Sequence, residues 1–339
     1  MKIPASKSVM ASVAAPPAPP TPRAPAGQSA RPTPIAVPWE PSPPPGAKPP
    51  PAYESVRWRW LRSAGRLLRG IVQRPAPAAG LALVVAHLFL GLFGEVLAPY
   101  PATEFHIADK LRPPSPAYPL GTDQFGRDVL SRVMIGTRGI LLLSTTATLL
   151  GLFLGLTVGL AAGYFGRLVD EVLMRLMDAM MSFPSLLLAL LILTMVGPAT
   201  QNVVIGIGVV FMPRVARVVR SAVLTQRSQE YVQAAKLRGE SALYVITREI
   251  LPNMTGPIIV EGGIRISYAI LLGASLGFLG LGIQPPAPDW GLMISEARTF
   301  LLVAPWIALA PAGAIATLVV GLNLVADGLS QELDVATGR

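Results

Sequence analysis

Glu261 and Arg265 stand four positions apart in a stretch that is otherwise uncharged from Thr255 to Leu281. On a helix that spacing puts both side chains on one face, close enough to pair. Counted from Pro257 at ~1.5 Å per residue, they lie within about two turns of where an apolar helix would begin. Charge inside a membrane segment is costly and is kept for function, so a gate or pathway role is one reading. An interfacial pair that snorkels to the membrane surface is the other. A second charged group, Asp123, Arg127 and Asp128, sits between Gly121 and the next apolar run and could brace an external segment or meet a partner. His87 is alone in its apolar run, which suits a packing or polar-contact role.

Several kinds of chemistry are absent. There is no cysteine, which removes disulfides, cysteine zinc sites, iron–sulfur clusters and thiol catalysis. Two histidines cannot make a His-rich metal site. No Gly-x-x-x-x-Gly-Lys-Ser/Thr phosphate loop occurs. What is left can pair, gate and dock, but forms no catalytic set.

The elements that carry these residues are apolar. Of 339 residues, 52% are hydrophobic and 14% charged, with a mean hydropathy of +0.53. A soluble domain carries about 25% charge, so a membrane protein is expected. Charge-free runs at 75–94, 139–163, 179–197, 266–288 and 300–326 each approach or exceed the ~20 residues a spanning helix needs. The run 203–212 is shorter, and becomes a sixth span if its helix starts near Thr200 and Arg214, Arg217 and Arg220 reach an interface.

Positive charge sets the expected orientation. Arg57, Arg59, Arg62, Arg66, Arg69 and Arg74 precede the first span, and the 214–248 segment holds Arg214, Arg217, Arg220, Arg227, Lys236, Arg238 and Arg248. The 99–136 segment is balanced and the 282–299 segment has one arginine. Six spans with both termini in the cytoplasm satisfy the positive-inside rule. The net charge of +9 then reflects membrane orientation and not a nucleic-acid partner. In the second span Gly151, Gly155, Gly159 and Gly163 line one face and let another backbone approach, within this chain or in a second membrane subunit. Seventeen of the 35 prolines fall in the first 51 residues, in an Ala/Pro/Ser-rich stretch expected to be disordered or polyproline-like.

The segment 230–253 is the most informative. It reads Glu230-Tyr-Val-Gln-Ala-Ala-Lys-Leu-Arg-Gly239 and runs on to Ile250-Leu251-Pro252-Asn253. Ala234 and Ala235 are small helix formers, Gly239 can end a helix in a left-handed turn, and Pro252 stops or starts the next helix. The expected product is a helix–turn–helix knob with small residues where a partner docks. Gln233-Ala234-Ala235, Gly239 and Leu251-Pro252 resemble the cytoplasmic loop of binding-protein-dependent ABC importer permeases. Gln233 replaces the strict motif's glutamate. The segment from Pro119 to Arg132 resembles the signature of the dipeptide/oligopeptide/nickel branch. So do Ser275–Gly282 with Pro285-Pro286 and Trp290-Gly291, and Asn323–Leu329 with Leu333-Asp334, although Gly277 and Gly273 stand where serine and an acidic residue are usual.

The resemblance covers about residues 57–335 and implies a C-type permease subunit with the type I importer fold, an all-α membrane protein of about six spans. The implied layout is a tail (1–56), a basic segment and first span (57–98) and an extracytoplasmic signature segment (99–136). A five-span core follows (137–328, with the coupling loop at 221–253), then a cytoplasmic end (329–339). It further implies a second homologous permease, two ABC ATPases and an extracytoplasmic substrate-binding protein as partners. ATP and Mg²⁺ would be held by the ATPases, and no cofactor by this chain. Di- or oligopeptides are the implied substrate. The alternative is a self-contained secondary transporter or channel.

Overall fold

In the computed structural model of the protein, residues 70–337 are described, with side chains as far as Glu332; the Pro/Ala-rich tail and the arginines at 57–69 fall outside the described residues, as do the side chains of Leu333 and Asp334. The described chain is helical, with one isolated antiparallel bridge between Thr122 and Asp128. Five helical segments are long and apolar enough to cross a membrane, and a bent pair makes a sixth if counted as one span.

Helix α1 (Pro75–Leu97) starts on a proline, whose missing N–H costs nothing in a first turn. Helix α2 (Val129–Phe165) starts ten residues before the charge-free run, because the Asp128 carboxylate caps it by accepting the Ser131 N–H at 2.8 Å. Its 37 residues rise ~55 Å, well beyond a ~30 Å hydrocarbon core, so it projects past the bilayer.

The third run is not a straight span. An amphipathic helix α3 (Arg167–Met181) meets α4 (Ser185–Val196) at 92°. Pro184 forbids helical continuation, and Phe183 before it is pushed toward extended backbone. With 12 residues, α4 rises only ~18 Å. The fourth run is a continuous helix α5 (Thr200–Arg227) that includes Arg214, Arg217 and Arg220 and tolerates Pro213 inside it.

Helix α6 (Glu230–Leu237) follows. A short lead-in, Ala242–Met254, passes through a π turn at Val245–Ile250 before α7 (Thr255–Phe278). The fifth span therefore lies about ten residues earlier than hydropathy placed it. Leu279 to Asp289 form a loop, where Gly280, Gly282, Pro285, Pro286 and Pro288 end the helix although the composition stays apolar. Helix α8 (Trp290–Ala297) and helix α9 (Trp306–Thr337) complete the chain; α9 begins after Pro305 and not at Phe300.

The glycine stripe packs within the chain. A Cβ on Gly155 would stand 2.4 Å from Val215 Cβ, and one on Gly163 2.7 Å from Val223 Cβ; Gly151 and Gly159 meet Phe211 and Val219 in the same way. Bare backbone on α2 thus receives the valine ridge of α5. Glycines also bring α1 against α9, at Gly80 beside Leu324 and Gly321 beside Leu83.

Candidate functional site

At the 165/227 end of α2 and α5, α6 and the lead-in form a knob. Gly239 takes φ +79°, a left-handed value costly for residues with a Cβ, and no atom lies within 4 Å of where its Cβ would be. The Ser241 hydroxyl then accepts the Tyr244 N–H at 3.3 Å and starts the lead-in, in which Leu251 and Pro252 open a 3₁₀ turn. Val232, Ala235, Val245, Ile250 and Met254 are buried in one cluster with Val215, Val219 and Val223 of α5. The knob is therefore continuous with the core of α5.

This placement divides the alanine pair. Ala235 has no exposed surface and belongs to the internal packing; the 3.6-residue turn leaves Ala234 outside. Glu230 and Gln233 are also exposed, as are Leu237 (89%) and Leu243 (72%). The Gln233 amide donates to the Arg227 carbonyl at 2.8 Å, tying the knob to the last residue of α5. Lys236 lies over the Tyr164 ring, and burial, together with nearby Arg227, lowers its pKa.

At the opposite end of α2 the signature residues form a brace. Asp123 Oδ1 accepts the Phe125 and Arg127 N–H groups at 2.8 and 2.9 Å, and Oδ2 accepts Arg127 Nε at 2.6 Å. Arg127 also reaches Glu296 Oε2 on α8 at 3.1 Å and stacks over Phe125 and Phe105. Gly126 must be glycine, since a Cβ there would stand 1.9 Å from the His106 carbonyl oxygen; one on Gly121 would meet the Arg112 carbonyl and Trp306. Asp128 caps α2.

Residues from three other segments complete the brace. Trp290 is buried and donates Nε1–H to the Val133 carbonyl at 3.0 Å. Asp289 accepts the Ile283 and Leu292 N–H groups, while burial raises its carboxyl pKa. Tyr118 donates to Asp109 at 2.9 Å, and its hydroxyl is pushed up to about 12 by burial and that acceptor. The Asp-Trp-Gly order at 289–291 was a visible signal for the cap and anchor; Glu296 gave none.

Glu261 and Arg265 pair at 2.6 Å within α7, both largely buried. Arg265 lies 5.8 Å from the Phe211 ring centre on α5 and 5.4 Å from that of Tyr268. The pair turns into the packing between α7 and α5. His87 Nδ1 lies 2.9 Å from the Leu83 carbonyl and Nε2 3.4 Å from the Thr317 hydroxyl, a polar contact between α1 and α9. Among the described residues no three His, Asp or Glu side chains converge to hold a metal.

The arrangement offers a knob joined to one span, and a brace at the far end of another. Residues 155–335 match the family described as binding-protein-dependent transport system inner membrane component. The dipeptide transport system permease protein DppC of Alkalihalophilus pseudofirmus is 40% identical over 75% of this chain and 84% of its own length. The glutathione transport system permease protein GsiD of Pectobacterium atrosepticum is 38% identical over 83% and 92%. The probable D,D-dipeptide transport system permease protein DdpC of Escherichia coli is 35% identical over 78% and 89%.

Proposed function

The chain belongs to the family of binding-protein-dependent transport system inner membrane components, and from that premise we propose that it forms half of a peptide pathway and receives the stroke of a docked ATPase through the 230–253 knob. It is a multi-pass inner-membrane permease subunit of an ABC importer, not an enzyme and not a self-contained secondary transporter. A second homologous permease supplies the other half of the pathway. Two ATPase subunits hold ATP and Mg²⁺, this chain binds no cofactor, and an extracytoplasmic protein delivers the substrate. Di- and oligopeptides are the substrate class, supported by relatives named for dipeptide, glutathione and D,D-dipeptide transport.

The observation that carries the coupling role is the shared cluster of Val232, Ala235, Val245 and Ile250 with Val215, Val219 and Val223. A partner that moves the knob moves α5, and through the glycine stripe α2, as one packed body; closely packed interiors shift between discrete arrangements and do not deform smoothly. Nucleotide-dependent closure of the ATPases would bias two such arrangements of the pathway. The exposed face of Glu230, Gln233, Ala234 and Leu237 is where the ATPase docks. The arginines along α5 and the knob support a cytoplasmic position for that end and for both termini.

Single cysteines can be placed cleanly in a chain that has none. An impermeant thiol reagent added to intact cells should label Gln124→Cys and spare Leu237→Cys. The latter should crosslink to a cysteine in the ATPase with a nucleotide-dependent yield. Outside labelling of position 237 overturns the orientation, and protection without any crosslink overturns the docking.

A further inference from the structure

Beside the brace lies a cavity of about 210 Å³, between the loop after α1, the start of α2 and the turn into α8. It far exceeds the ~10–15 Å³ that holds one water and falls below the ~300 Å³ at which drug-sized sites begin. A small molecule fits that interval. Phe105, Pro286 and Leu292 give it apolar walls, and Arg127, Arg132 and Glu296 give it charge.

The two arginines differ. Arg127 is committed, with Asp123 on Nε, Glu296 on Nη2 and aromatic rings beside its guanidinium. Arg132 is not. Its side chain is 5% exposed and Nη1 donates to the Ala102 carbonyl at 3.3 Å. Its Nε is sealed from the cavity and faces Asp123 Oδ2 in a loose ion pair at 3.8 Å, while Nη2 makes no hydrogen bond to the protein. A guanidinium on a cavity wall with an unfilled Nη donor can take a carboxylate. Glu296 offers the complementary charge. Oε2 accepts from both Gln124 Nε2 (3.2 Å) and Arg127 Nη2 (3.1 Å), which leaves Oε1 of this 29% exposed side chain free of protein donors. One wall thus offers a guanidinium and another a carboxylate oxygen.

We propose that this cavity is a subsite for a small zwitterion, a whole free α-amino acid or a dipeptide with both termini unblocked, with the carboxylate on Arg132 and the ammonium on Glu296. The peptide form of the ligand rests on the function proposed above; the zwitterion form rests on the cavity alone. The site lies at the signature end of α2, a helix rise of ~55 Å from the knob end, so a ligand there occupies the opposite side of the transporter from the docking face.

The test uses the assembled permease pair with its ATPases in nanodiscs, without the binding protein. Labelled dialanine, free alanine and N-acetyl-dialanine amide are the probes. Dialanine or alanine should bind saturably, and the blocked analogue at least tenfold more weakly. Arg132→Gln and Glu296→Gln should each weaken binding at least tenfold, with Arg132→Lys recovering part of it. Because Glu296 also braces α8, Leu292→Trp serves as a second variant that fills the cavity and keeps every charge; it should exclude the probe too. No saturable binding, equal binding of the blocked analogue, or wild-type affinity in all variants would overturn the subsite. Uptake of dialanine by the complete system separates the two readings. Uptake without cavity binding removes the subsite alone, while alanine binding without any peptide uptake removes the peptide substrate and keeps the subsite.

Discussion

Replacing Gly239 with valine perturbs the knob's turn without touching its packing. The residue holds φ +79° and a Cβ would meet nothing within 4 Å, so no collision contributes to the effect. The cost is that of left-handed backbone for an L-residue, roughly 1–2 kcal/mol, with valine at the upper end because a β-branched residue is an outlier there. At ~1.4 kcal/mol per factor of ten, the turn's native population relative to other conformers falls by about 5- to 30-fold. Asparagine tolerates this region, so Gly239→Asn should behave close to wild type. The assay is the reconstituted transporter, with binding-protein-stimulated ATPase and uptake measured side by side. Valine should lower uptake per ATP hydrolysed while membrane insertion persists, since α5 and α7 pack together through Val203, Ile207, Phe211, Ala269 and Leu276, away from this turn. If valine and asparagine depress coupling equally, or if neither does, the turn is not what aligns the knob and the argument from φ fails.

Gln233→Glu exchanges an amide donor for a carboxylate that can only accept. The bond to the Arg227 carbonyl is lost and negative charge is placed at the negative end of the α5 dipole. Loosening by about 1 kcal/mol is expected, read as several-fold faster amide hydrogen exchange across α6; unchanged exchange would refute the tie. Gly155→Ala puts a methyl 2.4 Å from Val215 Cβ and should destabilise the complex by about 1–3 kcal/mol in thermal unfolding. Val215→Ala in the same chain should recover part of that loss, and strict additivity of the two changes would show that the residues do not share one gap.

Features set by local spacing were legible in the sequence. The four-residue glycine repeat announced a close helix contact, and Gly239 in its Ala-Ala context announced a left-handed turn. Hydropathy failed where punctuation overrides composition. Residues 179–197 are as apolar as any span, yet Pro184 breaks them; 279–288 are apolar too, yet their glycines and prolines fold into a loop. The alanine pair needed the phase of α6 to be divided, and that phase is set by tertiary packing. The brace was the least legible, because its partners lie far apart in the chain. Arg127 meets Glu296 across 169 residues and Trp290 meets Val133 across 157, distances over which spacing carries no signal.

One feature of α5 bears on the tempo of transport. Val215, Val219 and Val223 fill the glycine groove of α2 and also belong to the cluster beneath the knob, so one row of side chains serves two joints. A body locked on two sides has little internal slack, and its motion concentrates where its backbone is free to rotate. The segment from Thr200 to Leu237 is flanked by Gly197 at φ +89° and Gly239 at φ +79°, each with open space where a Cβ would be. Substitutions along the valine row will therefore register mainly as lost thermal stability, and those at the two flanking glycines as altered turnover. The chain keeps its durability and its speed at different addresses.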